Sequence, residues 1–220
     1  MADLKIIEVK ESIFKQNDQE ADELRAYLRQ NNVFMINLMS SPGAGKTTLL
    51  TETIRRLKGE MSIGVMEADI DAQVDAERIT ASGARSIQIH TGGMCHMDAS
   101  MTRQGLDAFG IDGLDLVVLE NVGNLVCPAE FDTGATENVM LLSVPEGDDK
   151  PLKYPLIFEV SDTVLITKVD TKSVFDFNEE SVIRSIHMRN PKAEVMFLSA
   201  KTGEGMDVWC QWLRGKVRKR

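Results

Sequence analysis

Residues 40–48 read SSPGAGKTT, between an apolar run from Val33 to Met39 and a helix-like run from Thr48 to Leu57. A strand, a glycine-containing turn, Gly-Lys-Thr and then a helix is the setting a phosphate-binding P-loop needs. Gly43 and Gly45 carry no Cβ, so the backbone there can turn tightly and aim N–H groups at phosphate oxygens. The helix that starts at Lys46 and Thr47 adds the positive end of its dipole. In this pattern Lys46 reaches the β and γ phosphates, and the Thr47 hydroxyl ligates Mg²⁺. Ala44 and Thr48 complete the cradle. One position departs from the usual pattern: Ser40 stands where a glycine is expected.

The length, 220 residues, suits one α/β domain with a sizeable core. Apolar runs alternate with helical spacing along the chain. Strands are expected at Val33–Met39, Ser62–Glu67, Ser86–His90, Leu114–Leu119, Val139–Val144, Val164–Thr167 and Val195–Leu198. The run Leu114–Leu119 is the most strand-like and is expected at the centre. Helices are expected at Asp18–Gln30, Ala72–Ser82, Ala99–Phe109 (capped by Asp98), Glu179–Met188 (capped by Asn178) and Gly205–Arg214. Residues 124–138 read as an irregular loop. Pro145–Pro155, with three prolines, reads as a flexible connection or a lid. The pattern predicts an α/β P-loop NTPase fold, a mostly parallel central sheet with helices on both faces. All 220 residues form a single GTP-binding domain in this reading. Residues 1–32 are an N-terminal helical extension that serves as cover for the sheet, and 33–220 are the P-loop domain proper.

Two later stretches select the base. Thr167-Lys168-Val169-Asp170 and Ser199-Ala200-Lys201 each follow an apolar strand, where GTP-binding proteins hold NKxD and SAK. The Asp170 carboxylate can accept from guanine N1–H and the 2-amino group, a donor pair that adenine lacks. Lys168 lies along the base, and the backbone N–H near Ala200 meets guanine O6. Thr167 takes the place of the usual bracing Asn, so weaker binding is expected. For hydrolysis the sequence offers Asp69 after the second strand, Asp75 as a lesser Mg²⁺ candidate, and Glu120 where a Walker-B carboxylate belongs. Gly123 then falls where a backbone N–H senses the γ-phosphate. Lys153 could supply charge in trans, although a solvated lysine is the plainer reading.

Cys95 and His96 are adjacent in a glycine-flanked loop, and Cys127 follows the Glu120–Gly123 segment. Thiolate and imidazole suit Zn²⁺ or Ni²⁺. One chain supplies too few such ligands for a closed four-coordinate site, so a homodimer sharing the ion across a two-fold axis is the natural completion. His90 reads as a strand residue, and His187 and Cys210 as packing or surface positions. The net charge of −9 disfavours nucleic acid as a partner. Three scattered cysteines disfavour a disulfide framework, and the absence of a long apolar run disfavours a membrane span. The expected compartment is the cytoplasm.

Four runs together, SSPGAGKTT, EADIDAQVDAERI, TGGMCHMDASM and ENVGNLVCPAEFDTGA, resemble the HypB family, SIMIBI-class P-loop GTPases that help insert nickel into [NiFe]-hydrogenase. The resemblance extends from about residue 33 to 214. It implies a Mg-dependent GTPase acting as a nickel metallochaperone and dimerising around nucleotide. Cys95, His96 and Cys127 would be its metal site, Asp69 a switch residue and Asp170 the guanine reader. It also implies a HypA-type nickel protein and a hydrogenase large subunit as partners. Many members of the class carry an extra Walker-A lysine, which this chain lacks. The N-terminal cysteine or histidine-rich nickel motifs of some relatives are not found in its first 32 residues. Two other readings compete. One is a UreG-like urease nickel GTPase, whose Cys-Pro-His motif differs from Cys95-His96. The other is a regulatory GTPase without metal transfer.

Overall fold

The computed structural model describes residues 9–68, 79 and 81–219, with side chains from residue 14 on. Seven strands form one parallel sheet: β1 (Phe34–Ser40), β2 (Ile63–Ala68), β3 (Arg85–Ile89), β4 (Leu116–Glu120), β5 (Glu137–Ser143), β6 (Thr163–Thr167) and β7 (Glu194–Phe197), in the order β3-β2-β4-β1-β5-β6-β7. The middle strand is β1 rather than β4, which lies between β1 and β2. Both strands are buried almost throughout, so apolarity alone cannot rank one above the other.

Burial on both faces follows from helices on both sides. On one face Phe34, Ile36 and Leu38 of β1 pack against Leu49, Leu50, Ile54 and Leu57 of α2 (Lys46–Leu57) and against Trp209 and Leu213 of the last helix, Met206–Arg218. On the other face Met35 meets Leu24 and Leu28 of α1 (Val9–Gln30) and Leu106 of α3 (Ala99–Phe109). Further along the sheet, Ile157 and Phe158 of the helix Pro155–Glu159 and Val182 and Ile186 of the helix Glu179–Arg189 cover Met140 and Ile166. Asp98 and Asn178 cap their helices as expected, accepting from Met101 N at 2.8 Å and Ser181 N at 2.9 Å.

Four segments differ from the sequence-based expectation. α1 already runs from Val9, the first described residue, well before Asp18. The stretch 124–138 contains a turn of helix, Cys127–Glu130, which Pro128 helps to start. The stretch Pro145–Pro155 is no open lid but a chain of short helices, Val144–Glu146, Lys150–Lys153 and Pro155–Glu159. Each of its three prolines occupies one of the first two positions of a helix, where a missing N–H costs nothing. The C-terminal helix also runs beyond Arg214 to Arg218. Among the described residues no helix is long and apolar enough to cross a membrane.

Candidate functional site

Parallel strands end on one edge of the sheet, and the chemistry-bearing residues gather at that edge. β1 ends at Ser40 and the chain turns through Gly43, at φ +77°, and Gly45, at φ +104°. These left-handed values favour glycine, and they let Gly45 take the N-cap of α2. Ser40 turns out to have a structural task. It is fully buried, its hydroxyl donates to Ser41 O at 2.7 Å, and it accepts from Lys46 Nζ at 3.1 Å. The Lys46 ammonium is thus held across the loop. Glu120, at the end of β4, lies opposite: Thr47 Oγ1 and Glu120 Oε1 are 3.4 Å apart. A hydroxyl and a carboxylate oxygen facing each other beside a lysine form a donor set that suits a hard divalent cation. Gly123 closes this end. A Cβ there would stand 3.2 Å from Pro42 N, so the Glu120–Gly123 segment rests directly on the P-loop backbone. Asp69 and Asp75 lie outside the described residues.

A cavity of about 350 Å³ opens beside the P-loop. Ala44, Gly45 and Thr48 form one wall, and Lys168, Asp170, Ser199, Ala200 and Lys201 form the other. The two separated sequence stretches therefore converge on one space because β6 and β7 are neighbours in the sheet. Thr171, Leu49 and Leu198 also line it, positions that carry no motif signal of their own. Thr167 does supply a brace. Buried, its hydroxyl donates to Ala44 O at 2.8 Å, and Lys168 Nζ donates to Gly43 O at 2.7 Å. Both bonds tie this wall of the cavity to the phosphate loop.

On the opposite side of Glu120–Gly123, Cys95, His96 and Cys127 bring one ligand atom each to within 4.8 Å of one another. Two thiols and an imidazole make a donor set suited to Ni²⁺ or Zn²⁺. Two local structures hold the group. The turn before Cys95 is closed by Thr91 Oγ1, which donates to Met94 O at 2.7 Å, and the helix-capping Asp98 follows two residues after His96. The His96 ring stacks on Phe131 with centroids 4.0 Å apart, and Phe131 leans on Phe14 of α1. Burial lowers the His96 pKa, against the pull of Asp98 and Glu130, so the ring favours its neutral, ligating form. The neighbouring Cys127 thiol, and then burial, push the Cys95 thiol above its ordinary range.

The apolar stripe of α1 predicts cover for the sheet, yet α1 also fixes this group. Buried Asn17 accepts from Ala99 N at 3.0 Å and donates to Asp132 O at 3.0 Å, so one amide bridges the segments bearing His96 and Cys127. Arg25 reinforces the second contact through Asp132 Oδ1 at 2.8 Å. The remaining candidates stand apart. His90 is exposed just beyond β3, Cys210 is buried in the core, and His187 bonds Ala193 O at 3.1 Å. Lys153 pairs with Asp149 at the start of its own short helix.

The parallel sheet, the glycine turn with its lysine and the cavity beyond it define a P-loop nucleotide-binding protein, here with a Cys-His-Cys group whose Cys127 follows the segment resting on the P-loop. The family model for the CobW/HypB/UreG nucleotide-binding domain matches residues 34–197. Within that group the chain belongs to the HypB family of hydrogenase maturation factors. It is 43% identical to the hydrogenase maturation factor HypB of Rhizobium leguminosarum bv. viciae, over all of this chain and 74% of that protein. The crystal structure of HypB from Archaeoglobus fulgidus superposes with a TM-score of 0.86 at 37% identity, covering 92% of this chain and 99% of that one. HypB from Helicobacter pylori, in complex with nickel, gives a TM-score of 0.87 at 38% identity over 93% and 96% of the two chains.

Proposed function

We propose that this chain is a Mg-dependent GTPase that acts as a nickel metallochaperone in hydrogenase maturation, with its metal site at a GTP-linked homodimer interface. In this reading the whole chain works as one cytoplasmic GTP-binding unit. Lys46 and Thr47 hold the phosphates and Mg²⁺, Glu120 supports the Mg²⁺ side, and Asp170 reads guanine. Cys95, His96 and Cys127 hold Ni²⁺ or Zn²⁺, and a second copy completes the coordination. A HypA-type nickel protein and a hydrogenase large subunit are the partners it would serve. The observation that carries this reading is the span of one short segment. Its front, Glu120 to Gly123, lies on the P-loop, and its end bears Cys127 within 4.8 Å of the other two ligand atoms. A change at the terminal phosphate can therefore move a metal ligand, which is the linkage a GTP-gated carrier requires. The nickel-bound Helicobacter relative supports nickel as the cargo.

Titration with Ni²⁺ tests the metal half directly. Cys127→Ala is expected to weaken binding by at least the roughly 10–100-fold that loss of an outer-shell partner costs a metal site. The affinity should also rise with pH. With its pKa raised, the Cys95 thiol is protonated near neutrality and must release a proton to bind, whereas neutral His96 has none to release. Unchanged affinity in Cys127→Ala would remove the assignment.

A further inference from the structure

We infer that Asn121 is the positioning residue that couples the metal-ligand loop to the nucleotide cradle; this rests on the metal reading above. Asn121 is 1% exposed, directly after Glu120 at the end of β4. Its backbone N donates to Leu38 O at 3.0 Å, which anchors it to the strand that leads into the P-loop. Its side chain completes a relay of amides, buried at Asn121 and Asn37 and half-buried at Asn138. Asn138 Nδ2 donates to Val160 O at 3.1 Å, Asn37 Nδ2 to Asn138 Oδ1 at 3.0 Å, and Asn121 Nδ2 to Asn37 Oδ1 at 3.0 Å.

The direction of that relay matters. The nitrogens of Asn121 and Asn37 are committed towards β5, and that of Asn138 on β5 to Val160 O beyond it, so the terminal oxygen, Asn121 Oδ1, must face the other way. There it accepts two backbone N–H groups, from Val122 at 2.9 Å and from Met97 at 3.2 Å. Val122 precedes Gly123, which rests on Pro42 of the P-loop. Met97 follows His96 and is itself fully buried. One oxygen, held in orientation by the relay and by its two N–H donors, thus carries both the residue next to the γ-phosphate sensor and the residue next to a metal ligand. The covalent route from Gly123 reaches only Cys127. The route through Asn121 reaches His96 and Cys95, so all three ligands respond to the same displacement.

The test measures Ni²⁺ affinity in the GDP form and in the form bound to a non-hydrolysable GTP analogue, for the full chain and three variants. For the unmodified chain the two affinities should differ within the usual range of coupling, about 5–150-fold. In Asn121→Ala the ratio should collapse to about twofold or less while Ni²⁺ still binds. Asn37→Ala frees the Asn121 amide nitrogen but leaves two N–H groups donating to Asn121 Oδ1, which favour the same orientation, so it should keep the ratio even though it lowers thermal stability. Asn121→Asp retains an acceptor for Met97 N–H and should keep it too. A purely structural role would make Asn121→Ala and Asn37→Ala behave alike, and that result, or an unchanged ratio in Asn121→Ala, overturns the inference. Hydrogen exchange at the Met97 amide of metal-free unmodified chain gives a readout that needs no variant to fold. Its protection should differ between the two nucleotide forms, and equal protection overturns the inference. If the unmodified chain binds no Ni²⁺, the metal reading fails instead; equal affinities in its two forms remove the GTP linkage and this inference together.

Discussion

Under the proposed function, Asn in place of Asp170 should exchange a preference for guanine for one for xanthine. Asp170 lines the cavity beside the P-loop, on the wall that Thr167 and Lys168 tie to Ala44 and Gly43. A carboxylate there is acceptor-only and satisfies two donors of the guanine edge. An amide offers one acceptor and turns an N–H toward one of those donors. Leaving a buried donor unmet costs about 1–3 kcal/mol, and more where the lost partner is charged. Two such losses weaken GTP roughly 30-fold to 10⁴-fold. Xanthine carries a carbonyl where guanine carries its amino group, so the same amide N–H now finds an acceptor. Competition against a fluorescent guanine nucleotide reads the change. GTP affinity should fall by at least about 30-fold on that scale, and xanthosine triphosphate should gain. Retained GTP affinity with no gain for xanthosine triphosphate would remove Asp170 from the base site.

Lys46→Ala should lower the rate of phosphate release from GTP by about 10²–10³-fold, the usual cost of removing one preorganised cationic or hydrogen-bonding group from a developing charge. The ammonium lies 3.1 Å from buried Ser40 Oγ, a position from which it can follow charge moving onto the terminal phosphates. The fold should tolerate the change. Ser40 keeps its bond to Ser41 O at 2.7 Å, and Lys46 is the first residue of a helix with five buried side chains that do not depend on it. Urea unfolding should therefore show a small loss of stability beside the large loss of rate. Comparable rates in Lys46→Ala and the unmodified chain at saturating GTP would mean that this loop does not do the chemistry.

The fold was legible wherever local chemistry fixes the backbone. Gly-X-Gly-Lys-Thr between an apolar strand and a helix leaves little choice, and seven apolar runs separated by helical spacing leave little but a parallel sheet. What the sequence hid was context. The stripe of α1 runs Phe14, Asn17, Ala21, Leu24, Leu28, a spacing of three and four, but a polar residue stands at its second position. That break makes the helix look as if it starts at Asp18, when in fact Asn17 is buried to bond Ala99 and Asp132. A lone Asn on an otherwise apolar face was the available signal. The prolines of 145–155 read as breakers because the same residue that ends a helix also begins one. The brace that Thr167 supplies was not legible because its partner, Ala44 O, is 123 residues away in sequence. Asn121 carried no signal at all, since its relay exists only when β4, β1 and β5 lie side by side.

The most direct measurement is calorimetric titration of Ni²⁺ into the full chain with GDP and with a non-hydrolysable GTP analogue, under one buffer and pH. Because Gly123 rests on the P-loop and Cys127 ends the same segment, the two dissociation constants should differ by about fivefold or more. Identical constants in the two forms, with the ion bound through Cys95, His96 and Cys127, would contradict a metal site governed by the nucleotide.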